Sequence, residues 1–499
     1  MRTNPLLRVN DRLGGLTVEQ KLILITCLGF IVRLYVVLNA VTISTDSITY
    51  IRLAREFSEG NYLGILDRDR PPLYPLLLSL ASFVFHDPEL SGRVVSLLFG
   101  TLVIPVTFRL GRLVYNERAG VITAFFVAIH PYMVRYSGDI LTEALYYFLV
   151  ASTTLLGLKA MKERSIRTML LAGLSSVLTY LTKPGGIGFM MIISALIVFY
   201  NPTGLKREWK KRVLLAVSGW WVFLMLAFPY LLYLSRDFGE IRMTGRGTMA
   251  DVMETVWRIL TQGAYVVDFA KHYPEAFSIP FFLLFLVFLW KLPGRVRRRE
   301  LTSVEVCFIV IQLFYYFIYL VAGARRRYLV QIMPLGMVFA AMGYIYIEDY
   351  LRRRKGERGT VIATALLLFF TAVQLPQGMV RLKAHHLPEK VAGRWFHENM
   401  GGGVPILIKT PIMVYYARGE YIALPDGPTR LDEFVEYGRR NGAEYMAGYT
   451  RKLRKRITDF DGEKDRLLDE VASFYGEEEG EFVIYRFVDL AAETDPPGS

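Results

Sequence analysis

Residues 66–78 read LDRDRPPLYPLLL: four alternating charges run into two prolines and then into an apolar stretch. The first proline pushes Arg70 toward extended geometry, and Pro71 and Pro72 suit the first turn of a helix, which places Arg70 at a helix N-terminus. The helix dipole repels a cation there by a few tenths to about 1 kcal/mol. Something anionic should offset it. Asp67 and Asp69 can do so, with Asp69 as the N-cap; so can a bound phosphate or carboxylate, because helix N-termini favour anions.

The surrounding chain is 53% hydrophobic and 14% aromatic over 499 residues, with mean hydropathy +0.31. That exceeds what a soluble core of this length requires and places most of the chain in a membrane. The formal net charge of +13 does not call for nucleic acid. Its cations cluster at the ends of apolar runs, where anionic headgroups and the insertion machinery account for them. Cys27 and Cys307 both lie inside apolar runs, which indicates neither a disulfide framework nor a thiolate metal site. The start, MRTNPLLRVNDRLGG, carries Arg2, Arg8 and Arg12. The apolar run after Lys21 is about 20 residues long and has no small-residue cleavage site, so it reads as a retained first span.

Apolar runs appear at 21–41, 90–111, 119–134, 139–160, 167–182, 186–200, 211–235, 277–291, 302–322, 327–347 and 360–376, predicting about eleven transmembrane helices. The linkers MKERSIR (161–167), NPTGLKREWKKR (201–212), KLPGRVRRRE (291–300) and YLRRRKGER (350–358) are basic and fall on alternate sides. They mark the cytoplasmic face, together with the N-terminus. The opposite face receives 42–89, the loop 236–276 and everything after about residue 380. The last 120 residues show strand-like PILIKT, EYIAL and EFVIYRFV between helix-like stretches such as 429–441. The expected fold is therefore mainly α. A polytopic membrane domain spans 1–378, and a small extracytoplasmic α/β domain spans 379–499. No fixed-period repeat is visible, which argues against a transporter built from duplicated halves.

Cations in short outer turns oppose the bias that sets topology, which makes Lys183 in LTKPGG (181–186) and Arg325, Arg326 and Arg327 in GARRRY (323–328) informative. Single cations at helix ends snorkel onto headgroups; three in a row suit a lipid-linked phosphate, which arginine grips at two points. In ISTDSITYIRLAREFSEGNY (43–62), Ile48, Ile51, Ala54 and Phe57 recur at helical spacing opposite Arg52, Arg55, Glu56 and Glu59. This predicts an amphipathic helix on the membrane, with Asp46 at its start, where an ordinary N-cap would stand. His130 reads as a helix-end or hydrogen-bonding histidine rather than a metal ligand. TGRGT (244–248) lacks the spacing of a nucleotide-binding loop.

In this order, TDSITYIRLAREF, DRPPLYPLLL, the stretch 91–149, YLTKPGG and RRRYLVQIMPL resemble the GT-C class of membrane glycosyltransferases. The branch they resemble is the superfamily of protein O-mannosyltransferases and aminoarabinose transferases, over roughly residues 20–350. The resemblance implies transfer of a sugar from a polyprenyl-phosphate carrier to a lipid, glycan or protein acceptor on the extracytoplasmic face of the plasma or inner membrane, with inversion. It implies Asp46 as general base for the acceptor hydroxyl. Asp69 and Arg70 would shape the substrate pocket, while Asp67 and Arg68 stay a solvated flank. Glu143 stands where relatives commonly carry an Asp. Lys183 and Arg325 to Arg327 would meet the donor phosphate. The sequence departs from many relatives at Ser47, where a second acid is usual. The Glu for Asp at 143 leaves a divalent cation open, although no cofactor is required and no metal ligand is assigned. A lipid or solute transporter and a non-catalytic carrier-lipid-binding protein are the rival readings.

Overall fold

The computed structural model describes residues 15–200, 208–238, 249–263, 265–321, 323, 325–426, 430–476 and 479–488. The N-terminal arginines, most of the 201–212 linker and TGRGT lie outside them. The chain divides into two compact units, one of residues 1–38 and 50–380, the other of 39–49 and 381–499.

The first unit is helical. In chain order its helices begin with α1 (Val18–Leu38), α2 (Thr45–Ser58, whose first turn belongs to the second unit), α3 (Leu73–Phe85), α4 (Pro88–Val114) and α5 (Glu117–Ile129). They continue with α6 (Pro131–Tyr136), α7 (Glu143–Glu163), α8 (Ile166–Tyr180), α9 (Ile187–Ala195) and α10 (Trp209–Phe238). After these come α11 (Met249–Gln262), α12 (Val266–Phe277), α13 (Ile279–Arg297), α14 (Ser303–Val321), α15 (Arg326–Leu329) and α16 (Met333–Gly378). Among the described residues, seven stretches are long and apolar enough to cross a membrane: α1, α4, α7, α10, α13, α14 and Arg326–Gly378. Shorter apolar helices fill α3, α8 and Pro184–Tyr200. The chain is a multi-pass membrane protein.

Helices coincide with every expected apolar run, but some boundaries differ for local reasons. The run 119–134 is split, because His130 caps α6 and Pro131 opens it. α7 starts at Glu143, four residues late, since Asp139 turns its carboxylate onto the N–H of Ile140 at 3.0 Å. α16 is two arms joined at Gly356, whose φ of 54° breaks the helix inside the basic 350–358 segment. Cys27 and Cys307 are free thiols, as expected.

Arg33, fully buried in α1, donates to the carbonyls of Gly29 (3.0 Å), Ala128 (2.9 Å) and Val127 (3.0 Å). Two of these belong to the C-terminal end of α5, where carbonyls lack helical partners and the dipole favours a cation. The intramembrane charge therefore ties α1 to α5. Small residues let other helices close on one another. A Cβ on Gly343 would lie 1.9 Å from the Leu284 carbonyl, at the crossing of α13 and α16.

The second unit adds α17 (Leu387–Met400), β1 (Pro405–Ile408), α18 (Ile412–Ala417), β2 (Glu420–Ala423) and α19 (Leu431–Arg440). It ends with β3 (Tyr445–Tyr449), α20 (Thr450–Arg456), α21 (Phe460–Leu467), β4 (Leu468–Gly476) and β5 (Gly480–Phe487). The sheet order is β2-β1-β3-β5-β4, with β1 parallel to β2 and β3, and β5 antiparallel to β3 and β4. Strand side chains alternate between two cores. Ile406, Ala447 and Ile484 face Phe396 and Met413 of α17 and α18, whereas Leu407, Met446 and Val483 face Phe434, Leu453 and Phe460 of α19 to α21. The expected strands at 405–410, 420–424 and 481–488 are β1, β2 and β5; β3 and β4 are additional to them.

Gly343→Val should destabilise the protein by about 1–3 kcal/mol, because the helices must part to admit the side chain. The check is a lowered thermal midpoint in detergent. Gly462→Ala, where an added Cβ meets nothing within 4 Å, should move it little.

Candidate functional site

Asp67, expected to be a solvated flank, organises the 66–78 turn. Its Oδ1 accepts from the backbone N–H of Asp69 (2.8 Å) and of Arg70 (2.9 Å), and its carbonyl accepts from the Tyr230 hydroxyl at 3.1 Å. Arg68 pairs with Asp237 at 3.1 Å. Asp69 is exposed and does not cap α3, which starts at Leu73 with Pro72 before it and no side-chain cap. The capping role expected of Asp69 is therefore not seen, and the turn is held by Asp67 instead.

Arg70 is half-buried, with its guanidinium 5.8 Å from the centre of the Tyr50 ring. Tyr50 stands edge-on to Tyr74, whose hydroxyl donates to the Gly92 carbonyl at 3.3 Å. The first N–H of α3, on Leu73, donates to the Leu181 carbonyl at 3.0 Å. That bond sets the Arg70 turn beside the turn that carries Lys183.

Glu143 opens α7 and is completely buried. Its Oε1 accepts from Lys183 Nζ at 3.0 Å and from Arg327 Nε at 2.5 Å. Lys183 remains 20% exposed and Arg327 37%. The acid is thus withdrawn behind two accessible cations, and the trio carries a net charge of about +1. Lys183 also lies 5.7 Å from the Tyr146 ring. Burial first, and then the Glu143 charge, push the Tyr136 phenol up to about 12, so it stays a neutral hydroxyl.

The three consecutive arginines separate. Arg327 goes to Glu143. Arg326 lies 5.0 Å from the Tyr132 ring and 4.0 Å from Glu275. Arg325 lines a polar cavity of about 500 Å³ with Tyr265, Asp268, His272, Gly323 and Tyr328. The sequence singles out the cations but not Tyr50, Tyr74 or Tyr136. Aromatics are too common in this chain for their spacing to mark them.

Asp46 lies in the first turn of α2, half-buried, within the second unit. The helix start is built by serines: Ser47 Oγ accepts from the Ser44 N–H at 3.3 Å and meets Ser44 Oγ at 2.8 Å. The residue that stands where relatives carry a second acid is therefore used in starting the helix. His130 behaves as expected, accepting from the Met133 N–H through Nδ1 at 3.4 Å, with Nε2 3.1 Å from the Phe277 carbonyl. Among the described residues no three His, Cys, Asp or Glu side chains gather as metal ligands. The described ion-pair partners of Glu143 are both cations.

Residues 69–233 match the family model described as "Dolichyl-phosphate-mannose-protein mannosyltransferase". That stretch, less than half of the chain, holds Asp69, Arg70, Glu143 and Lys183, so the likeness to this family covers the buried acid and one of its two cations.

Solved structures agree in fold. ArnT from Cupriavidus metallidurans in the apo state superposes with a TM-score of 0.63 at 12% identity, covering 93% of this chain and 97% of that one. The Archaeoglobus fulgidus oligosaccharyltransferase in complex with Zn and sulfate also gives 0.63, at 15% identity over 94% of this chain and 73% of that one. The archaeal oligosaccharyltransferase AglB from the same organism, in complex with an inhibitory peptide and a dolichol-phosphate, gives 0.61 at 14% identity over 96% and 75%. Comparison with curated protein sequences gives no match.

Replacing Lys183 and Arg327 together by Met should strand the Glu143 carboxylate and cost roughly 3–5 kcal/mol. Adding Glu143→Gln should recover most of that loss. Thermal unfolding of the three proteins in nanodiscs reads both steps.

Proposed function

We propose that this chain moves a sugar from a polyprenyl-phosphate carrier to a lipid, glycan or protein acceptor on the extracytoplasmic face of the plasma or inner membrane, inverting the anomeric centre. The N-terminus is then cytoplasmic, and the C-terminal unit and the loop 236–276 are extracytoplasmic. The observation that carries the reading is the trio of Glu143, Lys183 and Arg327: accessible cations, held in place by an inaccessible acid. Lys183 and Arg327 take the donor phosphate. Arg70 adds a third cation from the neighbouring turn. That AglB has been solved with a dolichol-phosphate supports a lipid-phosphate donor.

Breaking the bond between sugar and phosphate builds positive charge on the anomeric carbon and negative charge on the departing phosphate. Fixed cations in a low-dielectric site stabilise that charge without reorganising. Asp46 accepts the proton of the acceptor hydroxyl as it attacks the anomeric carbon, a contribution of about 10²–10⁴-fold. The cavity lined by Tyr265, Asp268, His272 and Arg325 offers donors and acceptors for sugar hydroxyls.

The test is mass spectrometry of envelope glycans and glycolipids in a deletion strain. One sugar should disappear, return with the wild-type gene and stay absent with Asp46→Asn, while the purified variant still binds undecaprenyl phosphate. Return of the sugar with Asp46→Asn would remove Asp46 as the base. An unchanged glycan profile in the deletion strain with altered lipid distribution would favour transport.

A further inference from the structure

The segment that presents Asp46 is fastened to the body of the C-terminal unit. Residues 39–49 group with 381–499, and the attachment is made of named bonds. The Val41 N–H donates to the Leu382 carbonyl at 3.1 Å. Lys390 Nζ, from the second turn of α17, donates to the Val41 carbonyl at 2.7 Å. The Thr42 hydroxyl reaches the Lys383 carbonyl at 3.4 Å. Both polar groups of the Val41 backbone are thus held by residues more than 300 positions away in sequence.

Lys390 is itself placed from two sides. Its ammonium lies 5.1 Å from the centre of the Tyr416 ring on α18. Its neighbour Glu389, 2% exposed, accepts from the Thr410 hydroxyl at 2.9 Å and lies 2.8 Å from His386 Nδ1, which locks the first turn of α17. Lys383 has a φ of 56°, a conformation that non-glycine residues hold only when their surroundings impose it. Only Ile43 separates Thr42 from Ser44, and Asp46 lies between the paired serines Ser44 and Ser47, in the first turn of α2. A charge-assisted bond at Val41 and a hydroxyl pair at Ser44 and Ser47 therefore bracket the short piece of chain that carries the acid.

From this geometry we infer that Lys390 is a positioning residue for Asp46, and that the C-terminal unit sets the placement of the general base. This rests on the reading of Asp46 given under Proposed function. Lys390 touches no reacting atom; it acts through the Val41 carbonyl. Misplacing a base by about 1 Å is enough to cost on the order of 10²-fold in rate.

The experiment uses the full chain in nanodiscs, with undecaprenyl-phosphate-linked mannose as donor probe and an envelope glycolipid extract as acceptor. Lys390→Met, which keeps the aliphatic stem, should lower kcat about 10–100-fold with donor KM and undecaprenyl-phosphate binding unchanged. Lys390→Arg, which keeps a donor for Val41, should restore kcat to within a few-fold. In an Asp46→Asn background, Lys390→Met should cost nothing further, because the base it positions is gone. Unchanged kcat in Lys390→Met, or an equal further loss in the Asp46→Asn background, overturns the inference. Full turnover by Asp46→Asn itself would instead sink the assignment of the base, so the two failures are distinguishable.

Discussion

One buried carboxylate holds the candidate site together. Glu143 sits at the start of α7, Lys183 in the turn after α8, and Arg327 in α15, so segments 40 and 184 residues apart from the acid converge on a single oxygen. An ionised carboxylate stranded in such a place costs several kcal/mol, which makes the three segments expensive to separate. Tyrosines support them from behind: Tyr315 donates to the Gly185 carbonyl at 2.9 Å, in the Lys183 turn, and Tyr319 donates to Gln331 at 3.1 Å, just after α15. The cations are consequently held rigidly on side chains that would otherwise be among the most mobile in a protein.

The acid also sets the magnitude of the charge. Lys183 and Arg327 without it would repel each other and hold any phosphate tightly. With it the surplus is about +1. In the proposed transfer the donor is a phosphodiester with one negative charge, and the departing carrier gains a second as the bond to the sugar breaks. A trio matched to the first charge would favour the state in which the second has begun to form, since its cations gain most from the added charge. Only that difference accelerates the reaction.

Much of the helical unit is legible in the sequence because run length and apolarity report directly on spans. The breaks are less so. His130–Pro131 divides a run that is apolar on both sides of it, and the basic segment 350–358, which reads as a linker, stays helical on both sides of a single turned glycine, Gly356. In the sheet, β5 reads as a strand because it is apolar and buried, whereas β4 is charged and largely open along its length, and β3 is a five-residue YMAGY containing glycine. At the site, Lys183 and Arg327 stand out because they oppose the positive-inside bias. That they meet at Glu143 cannot be read from the sequence, since no local pattern links positions so far apart. Asp67 and Asp69 are indistinguishable there for a related reason: both acids are within reach of the same turn, and only the backbone path decides that Asp67 faces the two N–H groups.

The RRR run shows where a one-dimensional reading misleads most. In sequence it is a single basic patch; in the structure Arg326 and Arg327 open α15, where successive side chains diverge by about 100°. Arg327 pairs with Glu143 while keeping part of its side chain exposed, Arg326 rests on Tyr132 toward Glu275, and Arg325 turns to the cavity beside Asp268 and His272. Neutralising Arg327 removes one of the two charges that compensate Glu143 and takes the trio from about +1 to zero, whereas neutralising Arg325 or Arg326 leaves that pairing intact. The three arginines are therefore not interchangeable contributors to one electrostatic field. Only the last of them is coupled to the acid on which the surrounding helices converge.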